Sequence, residues 1–102
     1  MKNITPEEVK QRLDAGEELN LVDVREPPEN AEFNIGGKLL SVGKIQTMQI
    51  DELEDLRNEE VILYCRSGNR SGIAAMVLDQ LGFTNTKNLI GGMLAWQDKF
   101  KS

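Results

Sequence analysis

The stretch Val61-Ile62-Leu63-Tyr64-Cys65-Arg66-Ser67-Gly68-Asn69-Arg70-Ser71-Gly72 changes character twice. Its first four residues show no polar alternation, which is the pattern of a strand covered on both faces at the centre of a parallel sheet. The residues that follow are polar, and Gly68 and Asn69 tolerate the left-handed backbone of a tight loop. From Gly72 onward the apolar spacing turns helical. A buried strand, a polar loop and a helix make the repeating unit of an α/β fold, in which ligands bind outside the carboxyl ends of the strands. Cys65 stands at such an end.

Working outward, the apolar runs at residues 19–24, 38–42 and 86–90 read as further strands, and residues 2–4 as an added edge strand. Helical patterns fall between them, weakly at 30–33, moderately at 50–57 and strongly at 72–81, with a last helix at 93–100. The predicted architecture is a mostly parallel sheet of four to five strands with helices on both faces, in one domain over residues 1–102. Ile4-Thr5-Pro6-Glu7-Glu8-Val9 holds a full helix start: Thr5 as N-cap, Pro6 at the first helical position, Glu8 closing a capping box, and Ile4 with Val9 as staple. That helix should bury Val9 and Leu13 and stop at Gly16. On the helix at 72–81, Ile73, Val77 and Leu81 form one face with Ala74 and Leu78 beside it, and Phe83 is placed to fold back after Gly82.

Composition limits the chemistry. A formal net charge of −5 argues against nucleic acid as a partner. No run approaches the roughly 20 apolar residues of a membrane helix, and the start carries no signal-peptide pattern, so the expected location is the cytoplasm. One cysteine rules out an intrachain disulfide, and the complete lack of histidine removes Cys-His and Ser-His-Asp arrangements and any plausible zinc cage. No metal and no cofactor is expected. A nucleophile in this chain must be activated by other means.

The loop supplies those means. Unpaired N-H groups of a loop and of a first helical turn, with the helix dipole, make a concave site for negative charge. Arg66 and Arg70 add cationic charge, so three effects should lower the Cys65 pKa beneath its free value near ~8.5. A lone cysteine among apolar residues would read as a small core residue; this one does not stand in such company.

Here the sequence resembles the rhodanese family. Cys65-Arg66-Ser67-Gly68-Asn69-Arg70-Ser71 is similar to that family's active-site loop, Leu21-Val22-Asp23-Val24-Arg25-Glu26 to its early strand motif, and Gly91-Gly92-Met93-Leu94-Ala95-Trp96 to its C-terminal motif. The resemblance implies thiosulfate-type sulfur transfer. Cys65 would attack a sulfane sulfur, become a persulfide and pass the sulfur to cyanide, a thiol or a sulfur-accepting protein. Arg66, Ser67, Gly68, Asn69, Arg70 and Ser71 would hold the small anionic donor. Four residues separate Cys65 from Arg70, whereas the phosphatases that resemble this fold have five, so the shorter loop favours sulfur over phosphate. The chain departs from the family where relatives commonly read His-Ile-Pro-Gly and it reads Asn34-Ile35-Gly36-Gly37, a change expected to loosen the backbone.

Other features read more plainly. Asp23 and Arg25 are expected to tie loops together beside the site. Trp96 should anchor core or rim, Met48, Met76 and Met93 should serve packing, and Asp51-Glu52-Leu53-Glu54-Asp55-Leu56 should be the wet face of a helix. Two rival functions remain open: a non-catalytic binding or regulatory module of the same fold, and a small Cys-dependent phosphatase or arsenate reductase.

Overall fold

The computed structural model describes residues 1–100. Five strands form one parallel sheet: β1 (Lys2–Ile4), β2 (Leu21–Asp23), β3 (Lys38–Leu39), β4 (Val61–Tyr64) and β5 (Thr86–Leu89), in the order β1-β5-β4-β2-β3. The helices are α1 (Pro6–Asp14), α2 (Pro27–Glu32), α3 (Val42–Gln46), α4 (Asn69–Gln80) and α5 (Gly92–Phe100), with a 3-10 helix at Asp51–Leu56. The α/β class, the parallel sheet and the two-sided cover match the expectation.

Strand β4 lies at the centre, and its alternation divides the core. Val61, Leu63 and Cys65 face one apolar cluster with Ile45, Leu53, Ala74, Ala75 and Leu78, while Ile62 and Tyr64 face the other with Val9, Met93 and Trp96. Each cluster is roofed by its own helices. A strand buried on both sides has no polar face to show, and this accounts for the unbroken run Val61-Ile62-Leu63-Tyr64.

Helix α1 starts as its capping box dictates. The Thr5 hydroxyl accepts the Glu8 N-H at 3.1 Å, the Glu8 carboxylate reaches back to the Thr5 N-H, and Val9 is buried. Phe83 is buried beside the end of α4, and its N-H donates to the Leu78 carbonyl at 3.0 Å.

Four local expectations need correction. Helix α4 starts at Asn69 rather than Gly72, so Asn69, Arg70 and Ser71 belong to its first turn. Its buried face is Ser71, Ala74, Ala75 and Leu78, and Ile73 is 46% exposed. The small side chains bring the helix close to the sheet, and Val77 and Leu81 only flank that contact. The run at 38–42 is a strand for two residues and then turns at Ser41 into α3; its extended backbone is continued only by the Leu40 and Val42 N-H groups, which reach β2 and its extension at 2.9 Å each. Met93 is buried, but Met48 and Met76 face outward at 66% and 57% exposed, on the turn after α3 and the outer side of α4.

Glu60, just before β4, binds α1 and β5 to the centre of the sheet. Its carboxylate accepts from both Arg12 terminal nitrogens, at 2.9 and 2.6 Å, and from Lys87 Nζ at 2.6 Å. The Arg12 hydrogen bonds, opposed by partial burial and helped by Lys87, hold this carboxyl down at about 2. Because the folded value lies below the unfolded one of roughly 4.3, this stabilisation is complete above about pH 5 and is lost as pH falls toward the folded value. Urea unfolding at about pH 6 and about pH 3 should therefore show a loss of stability in acid that is smaller in Glu60→Gln. Equal losses in both proteins would contradict this account.

Candidate active site

Cys65 follows the last residue of β4, with its side chain directed at the start of α4. It is 1% exposed. Three donors converge on Sγ: the Gly68 N-H at 3.1 Å, the Ser71 N-H at 3.4 Å and the Ser71 hydroxyl at 3.4 Å. The first N-H groups of a helix have no partner within it, and here they are spent on sulfur. Gly68, the N-cap, has φ +102°, a conformation that lets the loop turn its amides inward. Burial pushes the Cys65 thiol up, but the Ser71 hydroxyl and the amides of Ser71, Gly68 and Ser67 outweigh it and hold the thiol below its ordinary value.

The arginines sit differently from one another. Arg70 places Nη1 and Nη2 on the two Glu29 oxygens at 2.8 Å each, a bidentate ion pair between α4 and α2. Its charge interacts with that of Cys65, but only as a minor contribution after Glu29. Arg66 is exposed and has no carboxylate partner among the described residues. The sequence counts both guanidinium groups, beside the loop amides and the helix terminus, among the activators of Cys65; in the structure the Ser71 hydroxyl and the amides of Ser71, Gly68 and Ser67 lead. A cation in the first turn of a helix opposes the dipole, and the Glu29 carboxylate is the compensation for Arg70.

Ser67 and Asn69 are exposed on the loop and first turn, and Ser71 is buried beneath them. Asp23 and Arg25 leave the neighbouring strand β2, where Asp23 is in register with Tyr64. Both are buried, and Arg25 donates from Nε and Nη2 to the Asp23 carboxylate at 2.9 Å each. Arg25 also donates to the Phe33 carbonyl, and Asn30 donates to Asp23, so the pair clamps α2 to the strand ends. A groove of about 190 Å³ runs beside the loop between α2 and α5, its walls including Arg25, Glu29, Glu32, Phe33, Arg66 and Leu94. Cys65 lies outside those walls.

The C-terminal glycines complete the cradle from behind. Met93 N-H donates to the Cys65 carbonyl at 2.9 Å and Leu94 N-H to the Arg66 carbonyl at 3.0 Å. For these bonds to form, the start of α5 must nearly touch the loop, and a Cβ on Gly92 would lie 2.3 Å from the Cys65 oxygen. Only glycine fits there.

A family model for the rhodanese-like domain matches residues 5–99. The chain belongs to the rhodanese-like domain family. Among relatives, "Putative sulfurtransferase YtwF" of Bacillus subtilis is 39% identical over 103 residues, covering 99% of this chain and 95% of YtwF. YrkF of the same organism is 35% identical over 97 residues, or 94% of this chain, but the match spans only 51% of YrkF. A solved rhodanese-like domain protein from Staphylococcus aureus superposes with a TM-score of 0.82 at 31% identity, covering 94% of this chain and 91% of that one. At the level of the family these relatives support sulfurtransferase activity.

Within this rhodanese-like domain, two parts of the site lay outside the sequence reading. One is Glu29. The other is Asn88 on β5, whose Nδ2 donates to the Gly68 carbonyl at 3.1 Å and whose Oδ1, 2.5 Å from the Ser71 hydroxyl, shares that group's single proton with Cys65 Sγ. A single asparagine thus fixes the loop and orients Ser71. Its signal was a polar residue inside the buried strand run Thr86-Lys87-Asn88-Leu89.

The Asn34-Ile35-Gly36-Gly37 turn is held rather than loosened. Asn34 Oδ1 accepts the Gly36 N-H and its Nδ2 reaches the Asn30 carbonyl, both at 2.9 Å, while the Tyr64 hydroxyl donates to the Gly36 carbonyl at 2.8 Å. Gly36 has φ +98°, which proline's ring could not adopt, so the missing proline follows from the turn itself.

Ser71→Ala removes the foremost group that lowers the Cys65 pKa. The midpoint of iodoacetamide alkylation rate against pH should move upward relative to wild type. An unmoved midpoint would mean that the amides alone set it.

Proposed function

We propose that this domain, taken as one unit over residues 1–102, is a sulfurtransferase that carries sulfur as a persulfide on Cys65. The observation that supports this reading is the convergence of the Gly68 and Ser71 donors on Sγ. A cysteine serving only as core filler has no use for such donors, whereas an anionic sulfur does. With thiosulfate, the Cys65 thiolate attacks the outer sulfur, the new Sγ-S bond forms, the old S-S bond breaks, and sulfite leaves with the electron pair. An external thiolate or cyanide then takes the outer sulfur and returns the Cys65 thiolate. The amides that hold a thiolate can hold a persulfide anion one atom further out.

No second cysteine exists to resolve the persulfide, so the acceptor is an external thiol, cyanide or a protein. The single unpaired thiol suits a reducing compartment, which makes the cytoplasm the proposed location. Among the described residues no helix is long and apolar enough to cross a membrane.

Incubation with thiosulfate or with methanethiosulfonate, followed by intact mass spectrometry, should add one sulfur atom to the wild-type chain and none to Cys65→Ser. Cyanide should remove it as thiocyanate. No added sulfur from either donor, or equal addition to the variant, sinks the proposal.

A further inference from the structure

Resting on the sulfur-transfer reading of Cys65, the charges around the cradle carry a statement about its donor. Three arginines border the loop and groove. Arg25 is neutralised by Asp23 and Arg70 by Glu29, each through two hydrogen bonds. Arg66 alone is without a carboxylate among the described residues, and the exposed Glu32 stands on the groove wall with it. A dianion approaching the Cys65 thiolate therefore meets one unpaired positive charge.

Glu29 is held firmly in this role. It is the third residue of α2, and its Oε1 also accepts the Glu26 N-H at 3.1 Å, so helix capping and the ion pair fix the same carboxylate. The Arg70 hydrogen bonds hold the Glu29 carboxyl at about 2, which keeps it ionised across the physiological range.

We propose that Glu29 is a specificity-determining residue: by occupying Arg70 it leaves a cradle suited to a singly charged sulfane donor, an organic thiosulfonate or persulfide, over dianionic thiosulfate. With a thiosulfonate the Cys65 thiolate bonds to the terminal sulfur, the S-S bond breaks and a sulfinate leaves with its electron pair. With a persulfide the leaving group is a thiolate that takes its proton from water. Neither step needs an oxidant or reductant.

The test compares thiosulfate with methanethiosulfonate, which offers the same sulfane sulfur with one charge fewer. Glutamine at position 29 keeps the capping hydrogen bond and removes the charge. In E29Q the kcat/KM for thiosulfate should rise by about tenfold and that for methanethiosulfonate by about threefold, since Coulomb energy scales with the donor's charge. Preference thus shifts toward thiosulfate by roughly threefold, a ratio taken within one preparation and so insensitive to partial unfolding. The shift should vanish when E29Q is combined with R70Q. An unchanged ratio in E29Q, or a shift that survives R70Q, overturns the role of Glu29 while leaving sulfur transfer standing. If neither donor loads Cys65 of the wild type, the sulfur-transfer reading fails and this inference with it.

Discussion

The orphaned N-H groups at the start of α4 are the constraint around which this domain is arranged. A helix must begin with donors that no helical carbonyl can satisfy, and a helix that begins directly beneath a strand end has those donors buried. Here the Cys65 sulfur receives two of them. Everything nearby keeps that meeting in place. Gly68 turns the chain, Asn88 ties the loop carbonyl and the Ser71 hydroxyl to β5, and Gly92 lets α5 hold the Cys65 and Arg66 carbonyls from the opposite side. The donors thus face the sulfur while the carbonyls of the same loop are engaged elsewhere, which separates the loop's two polarities.

Much of the fold was legible because single segments carried their own signals. The run Val61-Ile62-Leu63-Tyr64 announces a central strand by lacking polar residues, and Thr5, Pro6 and Glu8 announce α1 by local capping chemistry alone. Where local signals compete, packing decides between them. Ile73 is the most apolar choice for a buried face on α4, yet close approach to the sheet favoured Ala74 and Ala75, and the larger residue was left outside. Val42 looked like a strand residue until Ser41 turned the chain into a helix. Neither outcome can be seen without knowing how near the neighbouring element lies.

The site divides along the same line. Cys65 and its loop were legible because strand, loop and helix are contiguous in sequence. Glu29 and Asn88 were not, for each reaches the loop from another element, 41 and 17 residues away from its partner in the chain. The pairing of Arg70 with Glu29 is hidden from the sequence for the same reason. From sequence alone a guanidinium in the loop is a free charge aimed at an anion; only the packing of α2 against α4 reveals the carboxylate already bound to it.

That pairing bears on how a chain without histidine can handle an anionic sulfur. Free guanidinium groups would stabilise a thiolate strongly, but they would also bind whatever dianions the solution offers and hold leaving groups back. Backbone donors act differently. Their partial charges reach only the atom they face, so they stabilise charge on sulfur without attracting anions at a distance. By neutralising Arg25 and Arg70 with Asp23 and Glu29, the domain leaves Arg66 as the one unpaired guanidinium of these three beside the loop. Those paired arginines still work, since each clamps α2 to a strand end or to α4 and so holds the groove in shape. Charge in this site is thus used first for rigidity, and the Cys65 sulfur is left to the Ser71 hydroxyl and to amide groups, none of which titrates in the physiological range.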